Sequence, residues 1–168
     1  MWLGFNGPRS KTVLASWDAR IEAYRANLKP ILPQLRPSAR RFFEDALVLH
    51  DATLTRMEFG DRISNADGRA TRDIVNRRKL LVRLFALSDV KDQHCYILEY
   101  RDVKRIDVNV PGKVELFPIG MYPNFGDWGY DELTSPGKGI FRHEILFSSG
   151  ATIAVECRDL SVRRKRAK

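Results

Sequence analysis

Features that would identify an enzyme or a membrane protein are scarce in this sequence. The chain of 168 residues has two cysteines, Cys95 and Cys157, and their spacing does not suit a metal site. We expect both thiols to be buried and unreactive, since each lies in an apolar run. No apolar run approaches the roughly 18 residues that cross a bilayer, and the N-terminus lacks the pattern of a secretory signal. These absences predict a soluble cytoplasmic protein that makes no contact with a membrane.

Catalytic motifs are also absent from the sequence. It contains no nucleophile elbow, no dinucleotide-binding fingerprint and no kinase signature. We therefore expect no cofactor, and we favour a protein that is not an enzyme. The hydrophobic content of 43% is ordinary for a globular protein, so we expect a single domain over residues 1–162.

Basic residues outnumber acidic ones, and the excess lies in two short segments. The net charge is +8. Segments 69–79 and 163–168 each contain five basic residues, whereas the rest of the chain is close to neutral. Like charges at this density repel one another, so we expect residues 163–168 to form a mobile tail. The residues that could contact phosphate groups are Arg69, Arg72, Arg77, Arg78, Lys79, Arg163, Arg164, Lys165, Arg166 and Lys168.

Two helices are predicted near the N-terminus. Apolar residues recur at spacings of three and four over residues 14–28, which is typical of an amphipathic helix. Ser10 would cap this helix and Pro30 would end it. A second, short helix is predicted over residues 37–47, because proline at position 37 suits a first helical turn. Its buried edge would consist of Phe42, Phe43, Ala46 and Leu47.

Strands are predicted for most of the remaining chain. The clearest signal is a hairpin over residues 141–157, with two apolar arms and a tight turn at Ser148–Gly150. Apolar alternation changes phase after Arg101-Asp102 and again after Arg158-Asp159, which predicts a bulge or tight bend at each place. The fold class is therefore α+β, with two N-terminal helices packed on a mostly antiparallel sheet of about five to seven strands.

A segment rich in glycine and proline, residues 110–139, is also rich in aromatic residues. Aromatic side chains beside such loops suit the recognition of a partner protein. They equally suit anchoring of the loop on the body of the domain. The candidate partner-binding residues are Phe117, Tyr122, Phe125, Trp128 and Tyr130.

Three pairs of potential metal ligands occur in the sequence. They are His50-Asp51, Asp131-Glu132 and His143-Glu144. Imidazole and carboxylate groups bind zinc or manganese, so a common site would suit a metal-dependent hydrolase. Adjacent residues of a strand point to opposite faces, however, so each pair can offer one side chain to such a site. We favour hydrogen-bonded histidines at strand ends over a metal site.

Three short segments give the chain a resemblance to a group of uncharacterised bacterial proteins. The segments are Leu49-His-Asp-Ala52, Trp128-Gly-Tyr-Asp-Glu-Leu133 and His143-Glu-Ile-Leu-Phe147. They resemble that group in order, over about residues 12–162. In the group a histidine follows the acidic residue and isoleucine, whereas here His143 precedes Glu144. The resemblance implies an α+β fold and brings no established activity.

Three classes of function follow from these observations. The first is a non-enzymatic protein-interaction domain of bacterial type, an immunity- or antitoxin-like protein whose partner is another protein. The second is a nucleic-acid-associated protein that uses the basic segments 69–79 and 163–168. The third is the metal-dependent hydrolase. We favour the first, because the chain is a small domain with charged and aromatic segments and no catalytic motif.

Overall fold

A computed structural model describes residues 11–45, 48–63, 78–88, 94–111 and 125–166. Two helices, α1 (Lys11–Leu28) and α2 (Pro37–Glu44), are joined by a 3-10 turn at Leu32–Gln34. Eight strands follow: β1 (Thr53–Ile63), β2 (Arg78–Ser88), β3 (His94–Arg101), β4 (Arg105–Asn109), β5 (Trp128–Gly137), β6 (Ile140–Phe147), β7 (Thr152–Cys157) and β8 (Asp159–Arg166).

Prolines set the limits of the helical region, as the sequence predicted. Pro30 follows α1, and Pro37 is the first residue of α2. Since proline lacks a backbone N–H, it suits a helix start and excludes a helix interior. Helix α2 buries Ala39, Phe42 and Phe43. The last apolar position of α1, Leu28, is also buried, whereas the side chains of residues 14 and 17 lie outside the described part.

The strands form two antiparallel sheets of four strands each, and the α+β class is confirmed. We call the sheet with the order β1-β2-β3-β8 the first sheet, and that with the order β4-β7-β6-β5 the second sheet. The hairpin predicted over residues 141–157 is β6-β7, and Gly150 in its turn has a φ of 83°. A φ in this region favours glycine, because a Cβ atom would clash there.

The chain passes between the sheets at two bends, which lie where the sequence predicted them. Strands β3 and β8 pair in the first sheet, and their continuations β4 and β7 pair in the second. Between the two regions, Asp102 has a φ of 53°. Backbone hydrogen bonds Arg158 N–H to Arg101 O (3.3 Å) and Lys104 N–H to Glu156 O (2.8 Å) hold the bends side by side. The change in the apolar alternation of the sequence thus marks the positions where two paired strands bend together from one sheet into the other.

The sheets also meet on their opposite side, where β1 and β5 begin. Trp128 N–H donates to Ala52 O at 2.7 Å, and Asp51 N–H donates to Trp128 O at 2.9 Å. A bridge between Thr53 and Asp127 continues this pairing. The sheets are therefore hydrogen-bonded to each other on two sides, and the apolar core between them includes the fully buried Trp128, Leu133, Ile145 and Ile153.

The basic segment at the C-terminus differs from the prediction. Residues 163–166 are not a mobile tail, since they form the second half of β8 and pair with residues 94–97 of β3. Backbone groups make these bonds, so the repulsion between side chains does not prevent them. The side chains alternate between the two faces of the sheet. Ala167 and Lys168 lie outside the described residues.

An ion-pair network covers the outer face of the first sheet, with Glu99 at its centre. The Glu99 side chain is 8% exposed, and it pairs with Arg101, with Arg83 at 2.7 Å and with Arg163 at 3.3 Å. Burial disfavours the charged carboxylate, but the bond from Arg83 and the charge of Arg101 outweigh it and keep the pKa of Glu99 below its usual value. Glu99 is therefore ionised, and it holds three guanidinium groups together.

The network continues to α2 through Asp159. Arg101 donates to Asp159 at 3.1 Å, and two nitrogens of Arg36 donate to the same carboxylate at 2.6 Å each. Such bidentate pairs are the strongest arginine–carboxylate contacts. The chain segment that enters α2 is thus fixed to the start of β8.

Substituting Glu99→Gln should leave three arginines without their shared carboxylate. We expect a loss of about 2 kcal/mol in the free energy of unfolding, below the 3–5 kcal/mol of a fully buried pair because Arg83 and Arg163 are partly hydrated. Chemical denaturation at neutral pH measures it. Glu58→Gln is the control, because Glu58 is half-exposed at the end of the network, and it should cost about 0.5 kcal/mol or less.

The same network predicts how stability depends on pH. The pKa values of Glu99 and Asp159 are lower in the folded than in the unfolded chain. Their contribution is complete above the ordinary carboxyl pKa of about 4 and is lost as the pH falls below it. Glu99→Gln should therefore lose less stability than the wild type between about pH 5 and pH 3. Equal losses in both proteins would contradict the central role of Glu99.

Candidate functional site

A cavity of about 440 Å³ lies between α1, α2 and the start of β5. This is within the range of sites that bind small organic groups, roughly 300–1,000 Å³. Its apolar wall consists of Ile21, Leu28, Leu32, Phe42, Phe43, Val48 and Leu49. Polar groups in the lining are supplied by Tyr24, His50, Tyr130, Asp131 and Glu132.

Two adjacent carboxylates reach this cavity from β5. The strand is at the edge of the second sheet, next to α1. Asp131 lies opposite Ile145 on the core side, and Glu132 lies opposite Glu144 on the other side. Adjacent residues normally serve different faces of a sheet. Here the cavity borders the edge of the sheet, so both side chains contribute to its lining.

A buried chain of hydrogen bonds fixes the first of these carboxylates. His143 Nε2 is 3.0 Å from Asp131 Oδ2, and His143 Nδ1 is 2.7 Å from the Tyr100 hydroxyl. Trp128 Nε1 donates to the other oxygen, Asp131 Oδ1, at 3.1 Å. His143 is 1% exposed and Tyr100 is fully buried. Of the three groups His143, Tyr100 and Asp131, it is Asp131 that reaches the cavity.

One placement of hydrogens on Tyr100 and His143 satisfies every hydrogen bond from Tyr100 to Asp131. An ionised carboxylate can only accept, so Nε2 of His143 carries a hydrogen and donates it to Asp131. Nδ1 of a neutral imidazole is then an acceptor, and the Tyr100 hydroxyl donates to it. Burial raises the pKa of Tyr100 well above its usual value, so the phenol keeps its proton. The arrangement therefore holds Asp131 in place and does not activate Tyr100 as a nucleophile.

Negative charge is concentrated where Asp131 and Glu132 meet the cavity. Burial raises the pKa of Glu132, and the charges of Glu144 and Asp131 raise it further. Burial likewise raises the pKa of Tyr24, whose hydroxyl accepts a hydrogen bond from Leu133 N–H at 3.2 Å. Tyr24 is thus a neutral neighbour of the two acids.

The six metal-ligand candidates do not form one site. His50 Nδ1 contacts Asp51 at 3.0 Å, and Glu144 pairs with Arg142 at 2.5 Å. His143 points into the core, whereas Glu132 and Glu144 lie on the other face of the sheet. Within the described ranges, no group of three histidine, cysteine or acidic residues is placed to hold a metal ion. Asp131 and His143 do come together, whereas the alternation of strand side chains separates each of them from its neighbour in sequence, as the sequence indicated.

The aromatic residues predicted to bind a partner lie in different environments in the structure. Phe125 and Trp128 are buried, at 6% and 0% exposure, so they anchor the chain and do not form a contact surface. Tyr130 is half-buried, lines the cavity and lies 5.7 Å from the ring of His50. Phe117 and Tyr122 lie outside the described residues.

The basic residues predicted to contact phosphate groups also fall into different groups: some lie outside the described residues, some form ion pairs, and some are exposed. Arg69, Arg72, Arg77 and Lys168 lie outside the described residues, as does the side chain of Arg78. Lys79 pairs with Asp102 at 3.3 Å, and Arg163 belongs to the Glu99 network. Arg164, Lys165 and Arg166 remain as exposed residues at the end of β8.

Sequence reasoning missed Tyr24 and Tyr100 as parts of this site. Tyr24 was predicted as one position of an apolar helical stripe, and Tyr100 as one position of an apolar strand face. Their polar partners, Leu133 and His143, are 109 and 43 residues away in the chain. A pattern of neighbouring residues in the sequence does not predict a contact over such a distance along the chain.

In comparisons with known proteins, no family model, no curated protein and no solved structure matches this chain. The resemblance to a bacterial group therefore stays a prediction. Among the described helices, none has the length and apolar character needed to cross a bilayer.

Substituting Tyr100→Phe tests the buried chain of hydrogen bonds. The substitution removes the only hydrogen bond described for Nδ1 of His143 and leaves that nitrogen buried. We expect the free energy of unfolding to fall by about 1–3 kcal/mol. Chemical denaturation provides the measurement. Tyr96→Phe is the control, because the Tyr96 hydroxyl makes no hydrogen bond to a described residue, and equal losses in the two variants would contradict a specific role for Tyr100.

Proposed function

We propose that this protein is a non-enzymatic interaction domain whose cavity receives a cationic group on an apolar stem. The observation that carries the proposal is the cavity itself, with an apolar wall facing the carboxylates of Asp131 and Glu132. A lysine or arginine side chain of a partner protein has this chemistry, since an alkyl stem carries its charge. The proposal thus gives the predicted partner binding a defined position on the molecule.

The charges around the cavity support a cationic ligand. Four acidic residues line it, Glu44, Asp45, Asp131 and Glu132, against the two basic residues Arg25 and Lys29. Arg25 is itself paired with Glu22 at 2.9 Å. Acidic side chains thus outnumber basic ones among the described residues of the lining, which favours a positive over a negative ligand group.

The position of Glu132 supports a role in binding over a role in folding. Glu132 lies directly opposite Glu144 in the β5-β6 pair. Like charges at opposed strand positions destabilise a sheet. A residue that opposes folding stability is a candidate for a functional residue, since local choices normally agree with the fold.

The burial of His143 and Tyr100 keeps these two groups from acid–base chemistry on a ligand in the cavity. General acid–base chemistry needs a group within hydrogen-bond reach of the ligand. His143 and Tyr100 lie behind Asp131 and are closed off from the cavity. Their role in this proposal is to fix the carboxylate in the position that a cation would meet, as preorganised binding sites require.

The proposal is tested by NMR titration of ¹⁵N-labelled protein. The probes are a short blocked peptide with one central lysine, its arginine counterpart, and free hexylamine. We expect saturable shifts at residues of the cavity with both peptides, and a tenfold or greater loss of affinity in Asp131→Asn or Glu132→Gln, since each removes one charged contact. Glu156→Gln is the matched control, because Glu156 lies on β7 and pairs with Arg142.

The outcomes of this titration are distinct. Shifts with none of the probes would overturn the proposal. Shifts with hexylamine alone would identify the ligand as a free amine and would overturn the assignment of a protein partner. Equal losses in the Glu156→Gln control would show that the effect does not arise in the cavity.

Glu132→Gln should also stabilise the free protein. The pKa of Glu132 is raised in the folded state, so the ionised residue opposes folding at pH values above that pKa. We expect a gain of about 0.2–1 kcal/mol at pH 7 that disappears below about pH 4, where the carboxyl is protonated in both states. Denaturation at both pH values checks it, and a loss of stability at pH 7 would contradict the expected repulsion.

A further inference from the structure

A second, smaller cleft of about 260 Å³ lies between α2 and the end of β8, and it shares Phe42, Asp45 and Val48 with the cavity. One face of α2 lines it, with Ser38, Arg41 and Phe42 at the spacings of three and four that bring helical side chains together. Arg164 of β8 lines it from the sheet, opposite Tyr96 of β3.

The arginines of this cleft differ from those on the outer face of the sheet. In the described part of the chain, neither Arg41 nor Arg164 forms an ion pair, although Asp45 also lines the cleft. Arg164 donates to a ring nitrogen of His94 at 3.1 Å, and its guanidinium lies 6.0 Å from the centre of the Tyr96 ring. Neither contact is with a carboxylate. Two positive charges therefore remain available to an anion.

We propose that this cleft binds a phosphate group of a single-stranded nucleic acid. Guanidinium groups match the oxygen geometry of phosphate, and the hydroxyl of Ser38 lies in the same lining. The strand continues beyond the cleft with Lys165 and Arg166, which form no ion pair with the described residues. Arg166 lies on the same side of β8 as Arg164, so it takes the next phosphate of an extended chain.

The arrangement at the end of β8 selects a polyanion over a peptide. Strand β8 is at the edge of the first sheet. Exposed lysine and arginine side chains on an edge strand oppose the addition of another protein strand. The three cations on this side, Arg41, Arg164 and Arg166, also exceed what a single phosphate or a singly phosphorylated peptide can neutralise. A chain with one negative charge per nucleotide supplies the complementary spacing of charge.

Fluorescence anisotropy tests the proposal with a mixed-sequence DNA single strand of about twelve nucleotides, which is within the range of single-strand sites. The three free cations on this side are Arg41, Arg164 and Arg166. If each neutralises one phosphate, the log–log dependence of affinity on salt has a slope of about −2.1. The double variant R41Q/R164Q should reduce the slope to about −0.7 and weaken binding at low salt at least tenfold.

The control is the double variant R105Q/K138Q, which removes the same net charge from exposed positions away from the cleft. It should keep the slope and the affinity within about twofold of the wild type. A wild-type slope near zero, or equal losses in the two double variants, would overturn the proposal. Thermal unfolding of R41Q/R164Q establishes that the variant is folded, and Arg166→Gln, which changes a strand end only, should give an independent slope of about −1.4.

Two further arms identify the ligand. Inorganic phosphate and a mononucleotide should each compete with the DNA at least tenfold more weakly than the unlabelled strand at equal phosphate concentration. Equal competition would reduce the site to a pocket for one phosphate and overturn the assignment to a nucleic-acid chain.

Discussion

The imidazole of His143 is the polar group on which the arrangement of the two sheets depends. It lies in an aromatic environment, with the ring of Phe43 at 5.1 Å and that of Trp128 at 6.2 Å. Burying such a ring without hydrogen bonds would cost several kcal/mol. One nitrogen bonds to Tyr100 in the first sheet and the other to Asp131 in the second. Both bonds form in one register of the sheets, so the core has little freedom to repack.

The two bends make this meeting of the sheets possible. Tyr100 is the second-last residue of β3, directly before the bend at Arg101-Asp102. Because β3 and β8 turn together into β4 and β7, the chain carries Tyr100 over the face of the second sheet, where His143 lies. The Glu99 network covers the outside of the same corner. The hydrogen bond of Tyr100 to His143 in the core and the ion pairs on the surface thus stabilise the same pair of bends, one from the inside and the other from the outside.

The sequence predicted those parts of the fold that short-range patterns determine. The helices, the β6-β7 hairpin and both bends follow from proline positions and from alternation over a few residues. It did not predict two sheets in place of one, because the contact of Trp128 with Ala52 joins residues far apart in the chain. The tail prediction failed for a related reason, since the partner strand of residues 163–166 is β3. The site was predicted in part: Asp131 and Glu132 were candidates, whereas Tyr24 and Tyr100 were visible as apolar positions alone.

The distribution of charge around α2 links the two proposed sites. On the outer face of the first sheet, carboxylates and guanidinium groups neutralise one another through Glu99 and Asp159. On the inner side, Phe42, Asp45 and Val48 line both the cavity with four carboxylates and the cleft with Arg41 and Arg164. Unlike charges on so small a surface would gain energy by pairing, as they do on the outer face. The contact of Arg36 with Asp159 fixes the position of α2, and in that position neither Arg41 nor Arg164 forms an ion pair with a described residue. The two proposals rest on this arrangement, since it leaves guanidinium groups at the cleft and carboxylates at the cavity.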